Sequence, residues 1–266
     1  MERKLGIISE CLRGVHPRES LPKIREMGFD SYFTGYYTRP AVKEIKAVSD
    51  SLGLECTSIH APFKGINTMW LSGMDYLTVY NQIVESVDSA AENGIPTVVL
   101  HLSSGWKAPE INDLGLARYD ALVEYAMKRG VNLAFENLRK IGNTAYMVDR
   151  YENIPNVGFC FDVGHEHCYT KTVDFMDIFC EKVIMTHIHD NLGRGKECVG
   201  DPDTHLLPFD GTVDYNHMMQ KLNEYEYKGH LTLEVFNGSR PEYLAMPHED
   251  FLRTCYDRIV KISSMG

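Results

Sequence analysis

"GFCFDVGHEH", residues 158–167, runs from an apolar, aromatic-rich segment straight into Asp162, His165 and His167. Phe159, Cys160 and Phe161 read as the buried part of a strand, since aromatic residues suit a pleated, packed surface. The polar end then has two readings. It is either the loop that any strand runs into or one wall of a metal site, and the choice depends on whether other strands end the same way.

Seven further segments have the same form: KLGIIS (4–9), FDSYFTG (29–35), CTSIHA (56–61), TVVLHLS (97–103), VNLAFEN (131–137), VIMTHIHD (183–190) and HLTLEVF (230–236). With VGFCFDV (157–163) they make eight expected strands. Stretches with helical spacing lie between them, among them SLPKIREMG and YDALVEYAMKRG, and several close on the Gly that commonly follows a helix. Strand alternating with helix implies parallel strands joined by crossovers. Eight such units fit an α/β fold, a single (β/α)8 TIM barrel over residues 1–266, whose active sites collect at the C-terminal strand ends. A doubly wound open sheet is disfavoured, because SECLRGVHP after the first strand is no GxGxxG phosphate loop. The irregular segment NLGRGKECVGDPDTHLLPFDG after the seventh strand is expected to supply part of a substrate-covering loop.

Composition excludes several classes. With 44% hydrophobic and 24% charged residues, the 266-residue chain is that of a globular enzyme with a substantial core. A net charge of −10 opposes a general polyanion binder, whose affinity comes from lysines and arginines set against phosphates. Seven cysteines without a CxxC pair suggest neither a disulfide framework nor a zinc knuckle. The start MERKLGIISE lacks a signal-peptide apolar run, and no segment approaches the roughly 20 apolar residues of a membrane span. A cytoplasmic protein is the expectation.

In a closed barrel the strand ends face one mouth, so residues remote in sequence become neighbours. The third strand ends in His60, the fourth in His101, the fifth in Glu136, the sixth in Asp162 with His165 beyond, the seventh in His187 with His189 and Asp190, and the eighth in Glu234. The following loop adds Asp203 and His205. Taken singly, a strand-end histidine is more often a hydrogen-bonded structural residue than a ligand. Taken together, ionised groups so crowded must be paired or coordinate a metal, because desolvating them uncompensated is very costly. Glu136 in LAFEN and Glu234 in LTLEV weigh most, each being a carboxylate at the inward end of an apolar strand. Mixed oxygen and nitrogen ligands suit manganese, cobalt, magnesium, iron or zinc and do not choose among them. His16, His217, His230 and His248 lack this context, and the cysteines are read as packing. Trp70 and Trp106 follow the third and fourth strands and would either wall a ligand or pack the rim. Arg139, Arg194 and Lys196 would contact an anionic group or, as is commoner for any one of them, stay solvated.

SIHAPF (58–63), VVLHLSSG (98–105), AFENL (134–138), FDVGH (161–165), HIHDN (187–191), DTHLLPFDGTVDY (203–215) and LEVF (233–236) together resemble the xylose isomerase-like barrel superfamily over essentially the whole chain. That superfamily includes sugar phosphate isomerase/epimerases, ketose 3-epimerases, inosose dehydratases and the endonuclease IV group. The resemblance implies Glu136, Asp162, His187 and Glu234 as ligands of one divalent cation, with His165 beside it. His60, His101, Asp203 and His205 match positions that endonuclease IV proteins use for a three-zinc cluster, so one to three cations are implied.

Two activities follow from the resemblance. In a sugar isomerase or epimerase the cation polarises the carbonyl of a ketose or keto-cyclitol, while Glu136 or Glu234 takes the α-proton. His165 or Asp190 would shuttle a hydroxyl proton and His189 would orient the loop; His60, His101, Trp106 and Arg194 complete the expected substrate contacts. In an endonuclease IV-like enzyme clustered zinc ions would cleave a phosphodiester at an abasic site. The acidic charge and the absence of a Gly-rich first loop favour the sugar, with nucleic acid and membrane not expected as partners and a homo-oligomer left open. An inosose dehydratase-like lyase and a non-catalytic sugar-binding barrel are the remaining alternatives, the second disfavoured by the two flanking glutamates.

Overall fold

The computed structural model describes residues 3–170, 172–195 and 200–266; Lys196 and Cys198 therefore lie outside the described residues. All eight expected strands are present: β1 Leu5–Ile8, β2 Ser31–Gly35, β3 Glu55–His60, β4 Thr97–Leu100, β5 Asn132–Glu136, β6 Val157–Asp162, β7 Val183–His187 and β8 Leu231–Leu233. All but β3 are shorter than their runs, and in β4, β7 and β8 the residues past the last ladder position turn out to build the mouth. The strands are parallel, in the order β7-β6-β5-β4-β3-β2-β1-β8. The ring closes where the Ile188 N–H donates to the Thr232 carbonyl at 2.8 Å and the Glu234 N–H to the Ile188 carbonyl at 2.9 Å.

The crossovers are α1 Pro17–Met27, α2 Arg39–Leu52, α3 Tyr76–Glu92, α4 Asp113–Arg129, α5 Ile141–Arg150, α6 Val163–Tyr169, α7 Phe175–Phe179 and α8 Tyr215–Glu224. After β8 come α9 Pro241–Leu244 and α10 His248–Ser263. Local chemistry sets their ends. In α2 the Thr38 side chain accepts from the Ala41 N–H, Val42, Ile45 and Ser49 make the buried stripe, and Gly53 stops the helix at φ 63°. In α4 Asn112 accepts from the Gly115 N–H and Gly130 ends the helix at φ 70°. Trp70, a candidate ligand wall, instead packs the rim: it is buried against Tyr119, and its indole N–H donates to the Leu102 carbonyl.

The strands are buried on both faces, as barrel walls covered by helices must be. Two consequences position the site. The parallel register sets Glu136 beside Cys160 and Asp162 beside His187, and the β5 and β6 ends are clamped by Asn137, whose side chain accepts from the Asp162 N–H at 2.7 Å and donates to its carbonyl at 2.8 Å. Among the described residues no helix is long and apolar enough to cross a membrane.

Candidate metal centre

Four neighbouring strand ends deliver Glu136, Asp162, His187 and Glu234 to one point, with ligand atoms all within 4.8 Å of one another. Glu136 is the hub. Its Oε1 lies 3.2 Å from His187 Nδ1 and 3.4 Å from His165 Nδ1, and its Oε2 lies 3.0 Å from His101 Nε2 and 3.2 Å from His60 Nε2. Glu234 Oε2 reaches the same His187 Nδ1, also at 3.2 Å. Two further groups flank this centre: His60, His101 and Glu136 on one side, and His165, His189, Asp203 and His205 on the other.

The histidines are aimed by their backbone neighbours. His60 Nδ1 donates to the Ala61 carbonyl at 3.0 Å, His165 Nδ1 to the Asn137 carbonyl at 3.0 Å and His205 Nδ1 to the Glu234 carbonyl at 2.9 Å. A carbonyl can only accept, so Nδ1 carries a hydrogen in each and Nε2 is the nitrogen turned to the site, free to ligate once it gives up the proton it shares with a carboxylate. This is the outer support that metal-ligating histidines ordinarily have. His165 Nε2 then faces Asp203 Oδ2 at 3.0 Å, and His205 Nε2 faces Asp203 Oδ1 at 3.3 Å.

Several inward atoms lack a hydrogen-bond partner despite full burial: Asp162 Oδ2, His189 Nε2 and Asp203 Oδ1. His189 Nε2 stands 3.1 Å from Asp162 Oδ1 and 3.5 Å from Asp203 Oδ1 without hydrogen-bond geometry. Ligands about 2.1 Å from a shared cation sit roughly 3.0–3.4 Å from one another, in octahedral and tetrahedral arrangements respectively. The observed separations and the orphaned atoms fit a divalent cation. Cys160 lies close to Glu136 and His187, but burial pushes its thiol up to about 12, which favours packing over ligation.

Charge is balanced within the cluster. Burial would raise the Glu136 carboxyl, yet His187 and His101 hold it well below the ordinary range. Glu234 and Asp203 are likewise held down against burial, by His187 and by His165 with His205. Burial opposes charging of His205, but Asp203 lifts it to about 9. Against the same cost of burial, Asp162 and Asp203 raise His165, and Cys160, Glu234 and Glu136 raise His187, well above the usual value, while for His101 burial outweighs Glu136 and the shift is downward. A divalent cation would take the place of these imidazolium protons, and the carboxylates are already in the form that binds it.

A cavity of about 340 Å³ opens over the centre, with His60, His101, Glu136, His165, Asp203, His205 and Glu234 in its wall beside Phe63, Phe236 and Arg139. A second hollow of about 420 Å³ shares His60, Phe63, Glu234 and Phe236 and continues toward Glu10, Tyr36 and Lys64.

Three expected substrate contacts fall elsewhere. Asp190 is buried in the loop after β7, where it accepts the N–H groups of Asn191, Phe209 and Val213 at 2.8–3.0 Å. It braces that loop and cannot also shuttle protons at the mouth. Trp106 lies outside the cavity wall, half exposed, with the Arg194 guanidinium 4.8 Å from its ring; Arg194 is engaged there rather than over the centre. Sequence reasoning passed over His189 as a ligand and gave Asn137, Phe63 and Phe236 no role. For His189 the signal was present in HIH, since residues two apart on an extended chain share a face.

Residues 21–255 match the family described as xylose isomerase-like TIM barrel. An uncharacterized protein of Methanocaldococcus jannaschii is 24% identical, covering 89% of this chain and 85% of its own. An inosose dehydratase of Glaesserella parasuis is 25% identical over 51% of this chain and 50% of that protein. The crystal structure of D-psicose 3-epimerase with D-tagatose, from Clostridium cellulolyticum, covers 97% of this chain and 98% of its own with a TM-score of 0.75 at 15% identity, a likeness of fold.

Proposed function

The chain belongs to the xylose isomerase-like TIM barrel family, and from that premise we propose that it is a metal-dependent enzyme that removes a proton next to the carbonyl of a ketose or keto-cyclitol. One observation carries this reading: Glu136 and Glu234, from two different strand ends, both reach the same His187 nitrogen at 3.2 Å, and both line the cavity. Two carboxylates facing one small-molecule space are what taking a proton from one face and returning it on the other requires. A cation held by Glu136, Asp162, His187 and Glu234 would, when bound, polarise the carbonyl and so acidify the adjacent C–H. Glu136 or Glu234 receives that proton at a carboxylate oxygen. His165, hydrogen-bonded through Nε2 to Asp203, holds a proton at the cavity wall for a substrate hydroxyl. Phe63 and Phe236 give the cavity an apolar part of its wall. The epimerase and dehydratase names among the relatives support this class of chemistry and leave the product open.

The test is exchange in D2O. The metal-loaded protein is incubated with D-fructose, D-psicose, D-tagatose and scyllo-inosose, and deuterium at the carbon next to the carbonyl is read by NMR. Uptake with any of them supports the reading whichever product forms, and no uptake from the whole panel refutes it for these substrates.

The two flanking ligand groups favour a second reading, an endonuclease IV-like phosphodiesterase with three zinc ions. It requires three zinc ions per chain and metal-dependent nicking of a duplex carrying one abasic site. The acidic chain and the modest cavity argue for the sugar.

A further inference from the structure

We propose that Arg139 reads an oxyanion, the phosphate or carboxylate group of the substrate, at the mouth of the cavity. The inference rests on the sugar reading above for the substrate's other end. Arg139 is the only lysine or arginine in the described wall of the 340 Å³ cavity, which is otherwise rich in carboxylates and imidazoles, and Ser103 and Ser104 stand in the same wall. Its side chain is only 12% exposed and its Nε is buried with no hydrogen-bond partner. A guanidinium carries five N–H donors in a fixed fork, so an unused buried donor marks unfilled capacity for a planar or tetrahedral oxyanion. The plane is set in advance: the guanidinium lies 3.9 Å over the Tyr169 ring, and Tyr169 in turn stacks on His165.

The present counter-ion is replaceable. Asp201 Oδ2 accepts from Arg139 at 2.5 Å, but its side chain is 56% exposed and comes from the irregular loop after β7. Asp201 also accepts from the Tyr169 hydroxyl at 2.9 Å, so when a substrate oxyanion displaces it from the guanidinium its exposed carboxylate keeps that partner and regains water. The Arg139 fork is therefore both oriented and available.

The structure also supplies a reporter. The chain has two tryptophans, and Trp106 packs edge-on against Tyr169 with its ring 5.6 Å from the Arg139 guanidinium, whereas Trp70 is buried in the rim. Tryptophan fluorescence of the metal-loaded protein is titrated with three ketohexoses that differ only at C6: D-fructose, D-fructose 6-phosphate and D-fructuronate. One anionic ligand is expected to bind at least about tenfold more tightly than D-fructose, the worth of one hydrogen bond to a charged group, and the stronger of the two identifies the oxyanion. Arg139→Gln should erase that preference to within about twofold, while Asp201→Asn should strengthen anion binding several-fold, a gain that a folding defect cannot produce. Equal binding of all three sugars to the wild type, or a preference that survives Arg139→Gln, overturns the inference. If none of the three binds, the sugar reading fails for these ketohexoses and inorganic phosphate decides the matter: saturable quenching lost in Arg139→Gln upholds the oxyanion site, and quenching unchanged in that variant, or absent from the wild type, overturns it.

Discussion

Gly164→Ala tests whether the imidazole of His189 belongs to the cation-binding cluster. Gly164 is the second residue of α6, directly after the strand-end Asp162, and a Cβ there would sit 2.1 Å from His189 Cε1 and 2.4 Å from both ring nitrogens. That falls more than 1 Å short of the 3.4 Å lower bound of ordinary contact. Gly164 has no left-handed φ, so the backbone accepts alanine and the whole effect falls on the ring. His189 already stacks on His205 at 3.9 Å, and displacing one ring displaces the other. Overpacking of this kind costs about 1–3 kcal/mol, a melting-point drop of roughly 2–10 °C for a chain of this size. The sharper expectation is in metal content, because His189 Nε2 leaves Asp162 and His205 Nε2 leaves Asp203 together. Metal per chain, counted by inductively coupled plasma mass spectrometry, should fall. Gly142→Ala in α5 is the control: nothing lies within 4 Å of its added Cβ, and it should melt at or slightly above the wild type. A Gly164→Ala protein with wild-type melting and wild-type metal content would refute the assignment of His189.

Glu136→Gln and Glu234→Gln should each lower deuterium uptake about a hundredfold or more while the fold persists by circular dichroism, and wild-type uptake in either removes that residue from the chemistry. Asn137→Ala breaks both hydrogen bonds to the Asp162 backbone and leaves two buried groups unpaired; a loss of about 2–4 kcal/mol in urea unfolding is expected. The pH dependence has a definite sign. Because the folded value of His205 is lifted to about 9 from an ordinary 6.5, chelator-treated protein has this stabilisation in full below about pH 6.5 and loses it as the pH rises through 9, whereas metal-loaded protein, with neutral imidazoles, should not weaken over that window. Urea midpoints at pH 6.5 and 9.5, with and without chelator, read the difference, and parallel trends in the two forms would sink the account.

Much of this architecture was legible because each layer repeats one signal. Eight apolar runs separated by helical spacing have few solutions, and GFCFDVGHEH shows a strand handing its last residue to the mouth. The clustering of the candidate ligands was legible for the same reason: Glu136, Asp162, His187 and Glu234 each stand at or just past the end of a strand. Asp190 and Trp106 were misplaced because their surroundings are made by the loop after β7, whose path no periodicity encodes. Asp190 looks like a strand-end acid, but three backbone N–H groups from residues 191, 209 and 213 claim it. Arg139 was left between an anion contact and a solvated side chain for the converse reason, since its burial depends on Tyr169 and Asp201 arriving from other segments.

The barrel also explains why such a cluster is tolerated. Ionised groups at the mouth are costly to bury, and here Glu136, Asp162, Asp203 and Glu234 are set within reach of six imidazoles rather than an apolar wall. The cost falls on a few residues past the last ladder bonds, while the core below consists of apolar side chains. A cation that replaces several imidazolium protons would bind the folded chain and not the unfolded one, so the same ligands that serve chemistry would return stability to the barrel. Removing the cation should therefore lower the melting temperature of the whole protein, whereas a site built only for catalysis on an independently stable scaffold would lose turnover and keep its melting point.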